Sequence, residues 1–233
     1  MSYRLYYWPS IPGRGEFVRL VLEDAGADYV DIGRQQGANA VAEILHRGDH
    51  FAPPILEDDY ESLSHVAHIL SWISVPLGLA PDNDRDLRRM DQLLLTVTDF
   101  VTEIHDTHHP LGPSLYYDEQ TAEATRRAEV FLADRLSLFL QYFETSLLLN
   151  PLGDAWLVGD RCTVLDLAVF HVLCGLDHAL PHAMAQQDIP RLAALAARVA
   201  ERPLLAAYLA SDRRIPFNQD GVFRHYPALD ARL

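Results

Sequence analysis

The spacing of apolar residues changes near residue 80, and this change constrains the fold more than any other feature of the sequence. Before it, short apolar runs alternate with stretches in which apolar residues recur at helical spacing. After it, helical spacing continues to about residue 210, and a turn-rich segment separates the two parts. The sequence therefore predicts a first domain at residues 1–78, a linker at residues 79–83 and an all-helical domain at residues 84–233.

The first part reads as alternating strands and helices. Strand-forming residues recur in short runs, and turn residues such as those of Pro9-Ser10-Ile11-Pro12-Gly13 separate the runs from helical stretches. In chain order the pattern predicts a strand at 4–8, a helix around 17–25, a strand at 28–32, a helix around 40–45, strands at 53–57 and 62–63, and a helix around 66–73. A βαβ unit followed by a ββα unit is the pattern of a thioredoxin-like α/β sheet.

The second part carries only helical patterns. Two of them, at about residues 84–109 and 119–150, are longer than an average helix and suit a helical bundle. Thr163-Val164-Leu165-Asp166 has the form of a capping box, which predicts that a helix begins there. Two shorter helices are predicted at about 189–201 and 203–210, so the fold class of this part is all-α.

Charge and hydropathy exclude several classes of partner. The chain has 19 basic and 33 acidic residues, and its formal net charge of -14 repels phosphate backbones and anionic lipid headgroups. No apolar run approaches the roughly 20 residues that cross a bilayer, and the first residues lack the apolar core of a secretory signal. We therefore expect no nucleic-acid partner, no membrane association and a cytoplasmic location.

The chain has two cysteines, Cys162 and Cys174, and both lie in apolar segments of the second part. Neither belongs to a Cys-x-x-Cys pair or has the spacing of a metal site, so we expect two buried free thiols. The first part contains no cysteine to attack a mixed disulfide, which disfavours a disulfide reductase.

Three motifs occur in the order of a known family. They are YWPSIPGRGEFVR at residues 7–19, Pro53-Pro54-Ile55-Leu56, and the capping box at residues 163–166. With the change from alternating elements to helices between them, they resemble the tyrosine-type, bacterial-like glutathione S-transferases over essentially the whole chain. The resemblance implies a thioredoxin-like domain that takes glutathione as co-substrate, a helical domain with a pocket for a small hydrophobic electrophile, and a homodimer.

The resemblance also implies a hydroxyl group that activates glutathione. A thiol with an ordinary pKa of about 8.5 is mostly protonated at neutral pH, so catalysis requires a stabilised thiolate. Tyr7 takes the position of the family's tyrosine if the turn carries one extra residue, whereas aligning Gly13-Arg14 without a gap places Trp8 there. Ser10 resembles the serine that another class uses. Tyr7 and Ser10 are therefore both candidate catalytic residues.

Four further positions match the family's glutathione contacts around its cis-proline loop and third helix. The resemblance implies that the Pro53-Pro54 bond is cis and that Pro53 pairs with the cysteinyl segment of glutathione. Proline has no N–H, so one of two backbone hydrogen bonds is missing, at a cost of about 1 kcal/mol. His65 and Val66 replace the family's Gln/Glu-Ser pair, but N–H groups at a helix start still favour the γ-glutamyl carboxylate.

Three charged residues complete the predicted glutathione site. Asp99 matches the acid that, in some classes, reaches the γ-glutamyl amine bound by the partner subunit. Arg14 or Arg47 can attract the glycine carboxylate. An ordinary role on the solvated surface is the alternative for all three residues.

A histidine cluster ends the first long helix of the second part. His105 and His109 lie one turn apart, but the sequence shows no matching third and fourth ligands, so we predict no metal. In the family this helix end lines the electrophile pocket, which implies that His105, His109 and Phe217 of the tail contact a hydrophobic substrate. Histidines that merely cap the helix end are the alternative.

Two functions follow from the resemblance. The first is an enzyme of detoxification that adds glutathione thiolate to hydrophobic electrophiles. The second is a noncatalytic ligand-binding or interaction protein on the same scaffold, which the altered residues Pro53, His65 and Val66 favour.

Overall fold

A small mixed sheet with flanking helices, followed by a larger set of helices, makes up residues 2–231, the part of the chain described by this computed structural model. The sheet region contains β1 (Tyr3–Tyr6), α1 (Gly15–Asp24), β2 (Tyr29–Asp31), α2 (Ile32–Gln36), α3 (Ala38–His46), β3 (Ile55–Glu57), β4 (Ser62–Ser64) and α4 (Val66–Ser74). The strand order is β2-β1-β3-β4. β1 runs parallel to β2 and antiparallel to β3, and β3 runs antiparallel to β4.

The remaining elements are helical. They are α5 (Asp84–Asp106), α6 (Thr121–Val130), α7 (Leu136–Leu148), α8 (Val164–Ala179), α9 (Pro181–Ala185), α10 (Pro190–Ala200) and α11 (Pro203–Leu209), with short 3₁₀ turns at Tyr117–Glu119 and Pro227–Leu229. None of the helices within residues 2–231 has the length and apolarity needed to cross a membrane.

The predicted fold class is confirmed: the chain combines a thioredoxin-like sheet region with a mostly helical remainder. The helix predicted around residues 119–150 is broken, because a π turn at Phe131–Arg135 separates α6 from α7. A π turn adds a residue to the helical repeat, and here Phe131 and Leu136 are both buried while Arg135 pairs with Glu103 at 2.6 Å. The domain boundary at residues 79–83 stays a prediction, and residues 232–233 of the second predicted domain lie outside the described part.

Helix α1 lies at the centre of the molecule, packed against α4 on one side and against α8 and α11 on the other. Every residue of α1 is buried, including the charged residues Glu16 and Arg19. Arg19 pairs with Asp31 at 2.7 Å and with Glu16 at 3.3 Å, and the Tyr208 hydroxyl donates to Glu16 at 2.7 Å. Buried charges are tolerated when they are paired in this way, so the two regions share one core around α1.

The predicted capping box is present at the start of α8. The Asp166 carboxylate accepts hydrogen bonds from the Thr163 N–H and the Thr163 hydroxyl, each at 2.8 Å, and from the Leu157 N–H at 2.9 Å. Asp166 is fully buried, so these donors replace the water that the carboxylate loses. The sequence therefore placed the start of α8 correctly.

The two cysteines are free thiols, and one of them is less buried than predicted. Cys162 is buried, whereas Cys174 keeps part of its surface exposed. Burial raises the pKa of the Cys162 thiol and raises that of Cys174 to about 11, so both stay protonated at neutral pH.

Candidate functional site

A cleft of about 200 Å³ opens where the sheet region meets α5. Its wall comes from the start of α1, the loop before β3, the junction of β4 with α4, and the middle of α5. The lining residues are Arg14, Phe17, Phe51, Ala52, Pro53, Pro54, Ser64, His65, Val66, Val97, Thr98, Val101 and Thr102. None of these is acidic, and Arg14 brings a positive charge, so the cleft favours an anionic ligand in a protein of net charge -14.

Five of the predicted glutathione-contacting residues meet at this cleft. Arg14, Pro53, Pro54, His65 and Val66 all line it, and the Pro53-Pro54 peptide bond is cis. They come from three separate segments of the chain, which the antiparallel pairing of β1, β3 and β4 brings together. The starts of two helices, α1 and α4, therefore contribute to the cleft wall, and the N-terminus of a helix favours an anionic group.

The structure does not bring Arg47 and Asp99 into the cleft. Arg47 is exposed after α3 and its nearest acidic partner is Glu57, at 3.8 Å. Asp99 is exposed on α5 and is absent from the lining, although its neighbour Thr98 contributes to the wall. Within one chain, neither residue contacts the space that a ligand would fill.

His65 has an unusual backbone conformation at the edge of the cleft. Its φ of 74° is the one positive value among the non-glycine residues of the described chain. Such a conformation costs on the order of 1 kcal/mol or more and persists where the surrounding structure imposes it. It turns the chain from β4 directly into α4, which places the first N–H groups of α4 at the cleft wall.

Tyr7 lies immediately behind the cleft wall. It follows β1 by one residue, is 5% exposed, and does not itself line the cleft. Its Oη accepts a hydrogen bond from the N–H of Arg14, a lining residue, at 2.9 Å. Burial raises the pKa of Tyr7, while the N–H groups of Arg14 and Gly15 oppose this rise. Tyr7 therefore stays protonated at neutral pH, with an O–H that has no acceptor among the described residues.

Ser10 occupies a different environment. Its side chain is exposed in the turn after β1, and its carbonyl oxygen accepts a hydrogen bond from Asn218 Nδ2 at 2.8 Å. Ser10 is not among the residues that line the cleft. The structure thus links Ser10 to the C-terminal tail and links Tyr7 to the turn that forms the wall.

Two glycines make room for Tyr7. A β-carbon at Gly13 would lie 2.4 Å from Tyr7 Oη, and one at Gly15 would lie 2.4 Å from Tyr7 Cγ. Gly13 also has a φ of 43°, in the left-handed region. The turn therefore contacts the tyrosine ring closely only because these positions have no side chain.

We predict that Gly15→Ala displaces the Tyr7 ring and destabilises the protein. Overpacking of this kind typically costs about 1–3 kcal/mol, and the added methyl group contacts the rigid ring rather than a flexible chain end. Denaturant unfolding followed by circular dichroism measures the change. Gly221→Ala is the matched control, because its nearest atom would be 3.8 Å away; equal stability losses in the two variants would contradict the prediction.

The histidine cluster lies further along α5, beyond the cleft. His105 follows the lining residue Val101 by four positions, so the two share one helix face. The His105 and His109 rings stack with centroids 5.1 Å apart, and neither residue lines the cleft itself. Within residues 2–231 no three His, Cys, Asp or Glu side chains are arranged to hold a metal ion.

A chain of hydrogen bonds connects this cluster to the C-terminal tail. His108 Nε2 donates to the Val222 carbonyl at 2.8 Å, so His108 Nδ1 accepts from His109 Nδ1. Burial lowers the pKa of His108 to about 3 and that of His109 to about 4. Both imidazoles are therefore neutral at neutral pH, and the cluster presents a weakly polar surface rather than a positive charge.

Phe217 lies in the tail, away from the cleft lining. Its ring stacks on His171, with centroids 5.8 Å apart, and on His178, with centroids 5.1 Å apart. The Arg214 guanidinium lies 5.6 Å from the ring centroid. The structure thus places Phe217 against the helical core, apart from His105 and His109, which stack on each other.

Sequence reasoning missed part of the cleft wall and one buried histidine. Val97 and Val101 have a clear sequence signal as apolar positions of a helix, but their neighbours Thr98 and Thr102 do not. His171, on α8, donates to the Gly13 carbonyl from 158 positions away in sequence. No local pattern could have identified that contact.

Comparisons with known proteins agree with this fold. A family model described as glutathione S-transferase, C-terminal domain, matches residues 105–212. S-crystallin SL11 of Nototodarus sloanii is 27% identical, with 93% of this chain and 99% of that protein covered. Glutathione S-transferase P 1 of Xenopus laevis is also 27% identical, with 91% and 94% covered. A Pi-class glutathione S-transferase structure from Onchocerca volvulus has a TM-score of 0.75 at 22% identity, covering 95% of this chain and 99% of its own.

Proposed function

We propose that the cleft binds glutathione and that the protein conjugates the glutathione thiolate to small hydrophobic electrophiles, because residues 105–212 match the C-terminal-domain model of the glutathione S-transferases and a glutathione S-transferase relative aligns with 91% of this chain. The observation that carries this proposal is the Tyr7 hydroxyl, held by the Arg14 N–H directly behind the cleft wall. A concave, mostly apolar cleft with a few polar groups in its wall is typical of a small-molecule site.

Tyr7 activates the thiol by hydrogen bonding. Its Oη already accepts from Arg14, so its own proton remains to be donated to the sulfur of a ligand at the start of α1. A hydrogen bond to the thiolate, together with the positive end of α1, favours the ionised form and lowers the thiol pKa.

The rest of the cleft positions the tripeptide. The N–H groups at the start of α4 receive the γ-glutamyl carboxylate, and Arg14 attracts the glycine carboxylate. Pro53 offers only its carbonyl oxygen to the cysteinyl segment, since proline has no N–H. Glutathione is therefore held mainly by its charged ends.

The reaction then takes place beside α5. The thiolate attacks an electrophilic carbon and forms a carbon–sulfur bond, and the electron pair leaves with a halide or moves into an activated double bond that takes up a proton. His105 and His109, with Phe217 further away, form the side on which the hydrophobic substrate lies. Their neutral imidazoles suit an uncharged electrophile.

Binding and turnover test the proposal together. We expect retention on immobilised glutathione with elution by free glutathione, and conjugation of an activated aryl chloride followed by absorbance. The Tyr7→Phe variant should still be retained but should conjugate slowly. Failure of the wild-type protein to bind glutathione would refute the proposal.

A binding role without catalysis is the second candidate. Two of the relatives carry the name S-crystallin rather than transferase, and Pro53 removes a hydrogen bond to the tripeptide. Calorimetry separates the two candidates: millimolar or weaker binding of glutathione, with no conjugation of any electrophile in a panel, supports this second function.

We also propose a homodimer, with the sheet region of one chain against the helical region of its partner. Phe51 supports it, because this aromatic side chain is fully exposed next to the cleft, and Leu95 is exposed on the outer face of α5. Asp99 lies on the same helix and would approach the partner's cleft.

The cytosol is the proposed location, and fractionation of cells tests it.

Sedimentation tests the dimer. We expect a species of twice the 26.3 kDa chain mass at micromolar concentration and its dissociation in Phe51→Ser, because a buried aromatic anchor is lost. Tyr60→Ser is the control, since Tyr60 is another exposed aromatic residue of the sheet region. A wild-type protein of single-chain mass would contradict the dimer.

A further inference from the structure

His171 is a fully buried side chain in the middle of α8. Its ring is held by aromatic neighbours: Phe17 lies edge-on with centroids 4.6 Å apart, Phe223 edge-on at 5.4 Å, and Phe217 stacked at 5.8 Å. Phe17 also forms part of the cleft wall. The imidazole therefore has a fixed orientation beside the ligand site without lining it.

The hydrogen bonds of His171 determine its protonation. Nε2 lies 3.1 Å from the Gly13 carbonyl oxygen, which can only accept, so Nε2 carries the proton. Nδ1 is buried and has no hydrogen-bond partner among the described residues. Burial, and then the charges of Arg214 and Arg19, lower the pKa of His171 to about 3, which keeps the ring neutral.

This arrangement is costly for a residue that only fills space. A buried polar atom without a partner costs about 1–3 kcal/mol, and a leucine at the same position of this apolar helix would have no side-chain nitrogen to leave unpaired, although the Gly13 carbonyl would lose its donor. The histidine donates a hydrogen bond to the Gly13 carbonyl, which an aliphatic side chain cannot do.

Gly13 is directly connected to the Tyr7 hydroxyl. The residue after it, Arg14, donates its N–H to Tyr7 Oη at 2.9 Å. The Gly13 carbonyl and the Arg14 N–H belong to the same peptide unit, and a peptide unit is planar. Fixing the carbonyl at one end therefore fixes the direction of the N–H at the other.

We propose that His171 is a positioning residue for thiol activation. By donating to the Gly13 carbonyl, His171 orients the Gly13-Arg14 peptide. The Arg14 N–H then holds Tyr7 Oη so that the Tyr7 hydroxyl proton is directed to the sulfur of glutathione. This inference rests on the proposed function. It assigns a role in the chemistry of the sheet region to a side chain of the helical region that touches neither glutathione nor the electrophile.

Two substitutions at this position and one control isolate the hydrogen bond. His171→Leu removes the donor and keeps an apolar side chain of similar size, whereas His171→Gln places an amide N–H near the position of Nε2. His178→Leu is the matched control: His178 also stacks on Phe217 and also has a buried nitrogen without a partner, but no hydrogen bond connects it to the turn.

The first measurement needs no ligand. We expect amide hydrogen exchange of Arg14, relative to that of Leu56 in the central strands, to rise about tenfold in His171→Leu, because the peptide is no longer held. It should stay near the wild-type ratio in His171→Gln and His178→Leu. An unchanged ratio in His171→Leu would overturn the proposal.

The second measurement is the pH profile of conjugation. In His171→Leu we expect kcat/KM to fall about tenfold at neutral pH, while KM for glutathione stays within about twofold of the wild type. The loss of kcat/KM should disappear as pH rises, because the thiol then ionises without a hydrogen bond from Tyr7. His171→Gln should recover most of the activity. A loss of the same size at every pH would overturn the proposal, because it would indicate a purely structural defect.

The two measurements separate this inference from the function on which it rests. If the wild-type protein does not conjugate glutathione, the proposed function fails, while the exchange of the Arg14 amide still decides whether His171 holds the peptide. If the wild type conjugates glutathione and Tyr7→Phe impairs it, but His171→Leu has a wild-type profile, only the role of His171 is refuted.

Discussion

Tyr7→Phe should lower kcat/KM for glutathione conjugation about 100-fold at neutral pH, the usual loss for one hydrogen-bond donor to a developing anion. The ring that packs beneath Gly13 and Gly15 is kept, so only the hydroxyl is removed. Without it the bound thiol has a higher pKa and less thiolate is present. Absorbance of the thiolate against pH, measured on the complex with glutathione, follows this change directly.

Ser10→Ala is the matched control for that result. The Ser10 side chain is exposed and does not line the cleft, so we expect its removal to leave kcat/KM within about twofold of the wild type. The opposite pattern, in which Tyr7→Phe has a wild-type titration and Ser10→Ala loses thiolate, would transfer the catalytic role to Ser10.

Acid should destabilise the protein through two buried histidines. Burial lowers the pKa of His108 and of His171 to about 3, against 6.5 in an exposed imidazole. Between these values the unfolded chain binds more protons than the native one, so the free energy of unfolding falls as pH falls. Each histidine should contribute a loss of about 2 kcal/mol between pH 6.5 and 4.5.

His108→Gln and His171→Gln measure these contributions separately. Glutamine can donate to the Val222 or Gly13 carbonyl in place of Nε2 but does not titrate, so each variant should lose stability less steeply with acid than the wild type. Asp166 acts in the other direction, because burial raises its pKa to about 6. Comparing each variant with the wild type cancels that contribution, and parallel curves of unfolding free energy against pH would contradict the prediction.

Much of the fold could be predicted from sequence, because two periodicities with distinct physical causes divide the chain. Alternating runs bounded by turn residues correspond to the four strands, and the long helical pattern from Asp84 corresponds to α5. The five-residue helices α2 and α9 were missed because one turn and a half carries too few apolar positions. The π turn was missed because it changes the helical repeat without a glycine or proline to mark it.

The site was less predictable, because it depends on contacts between distant segments. The resemblance to a family indicated residues at the cleft, such as Pro54 and Val66, since the motif order fixes the sheet that brings them together. The alignment of Tyr7 with the family's tyrosine depends on whether the turn after β1 carries one extra residue, and the sequence alone does not decide this. The sequence around His171 indicates only an apolar helix, and the role of this residue depends on its contact with Gly13, which is distant in sequence.

A crystal structure of the complex with glutathione tests the central claim most directly. The account predicts the tripeptide in the cleft beside Pro54, with its sulfur within hydrogen-bond distance of Tyr7 Oη and its γ-glutamyl carboxylate at the start of α4. A cleft without the tripeptide, or a sulfur remote from every side-chain hydroxyl, would contradict it.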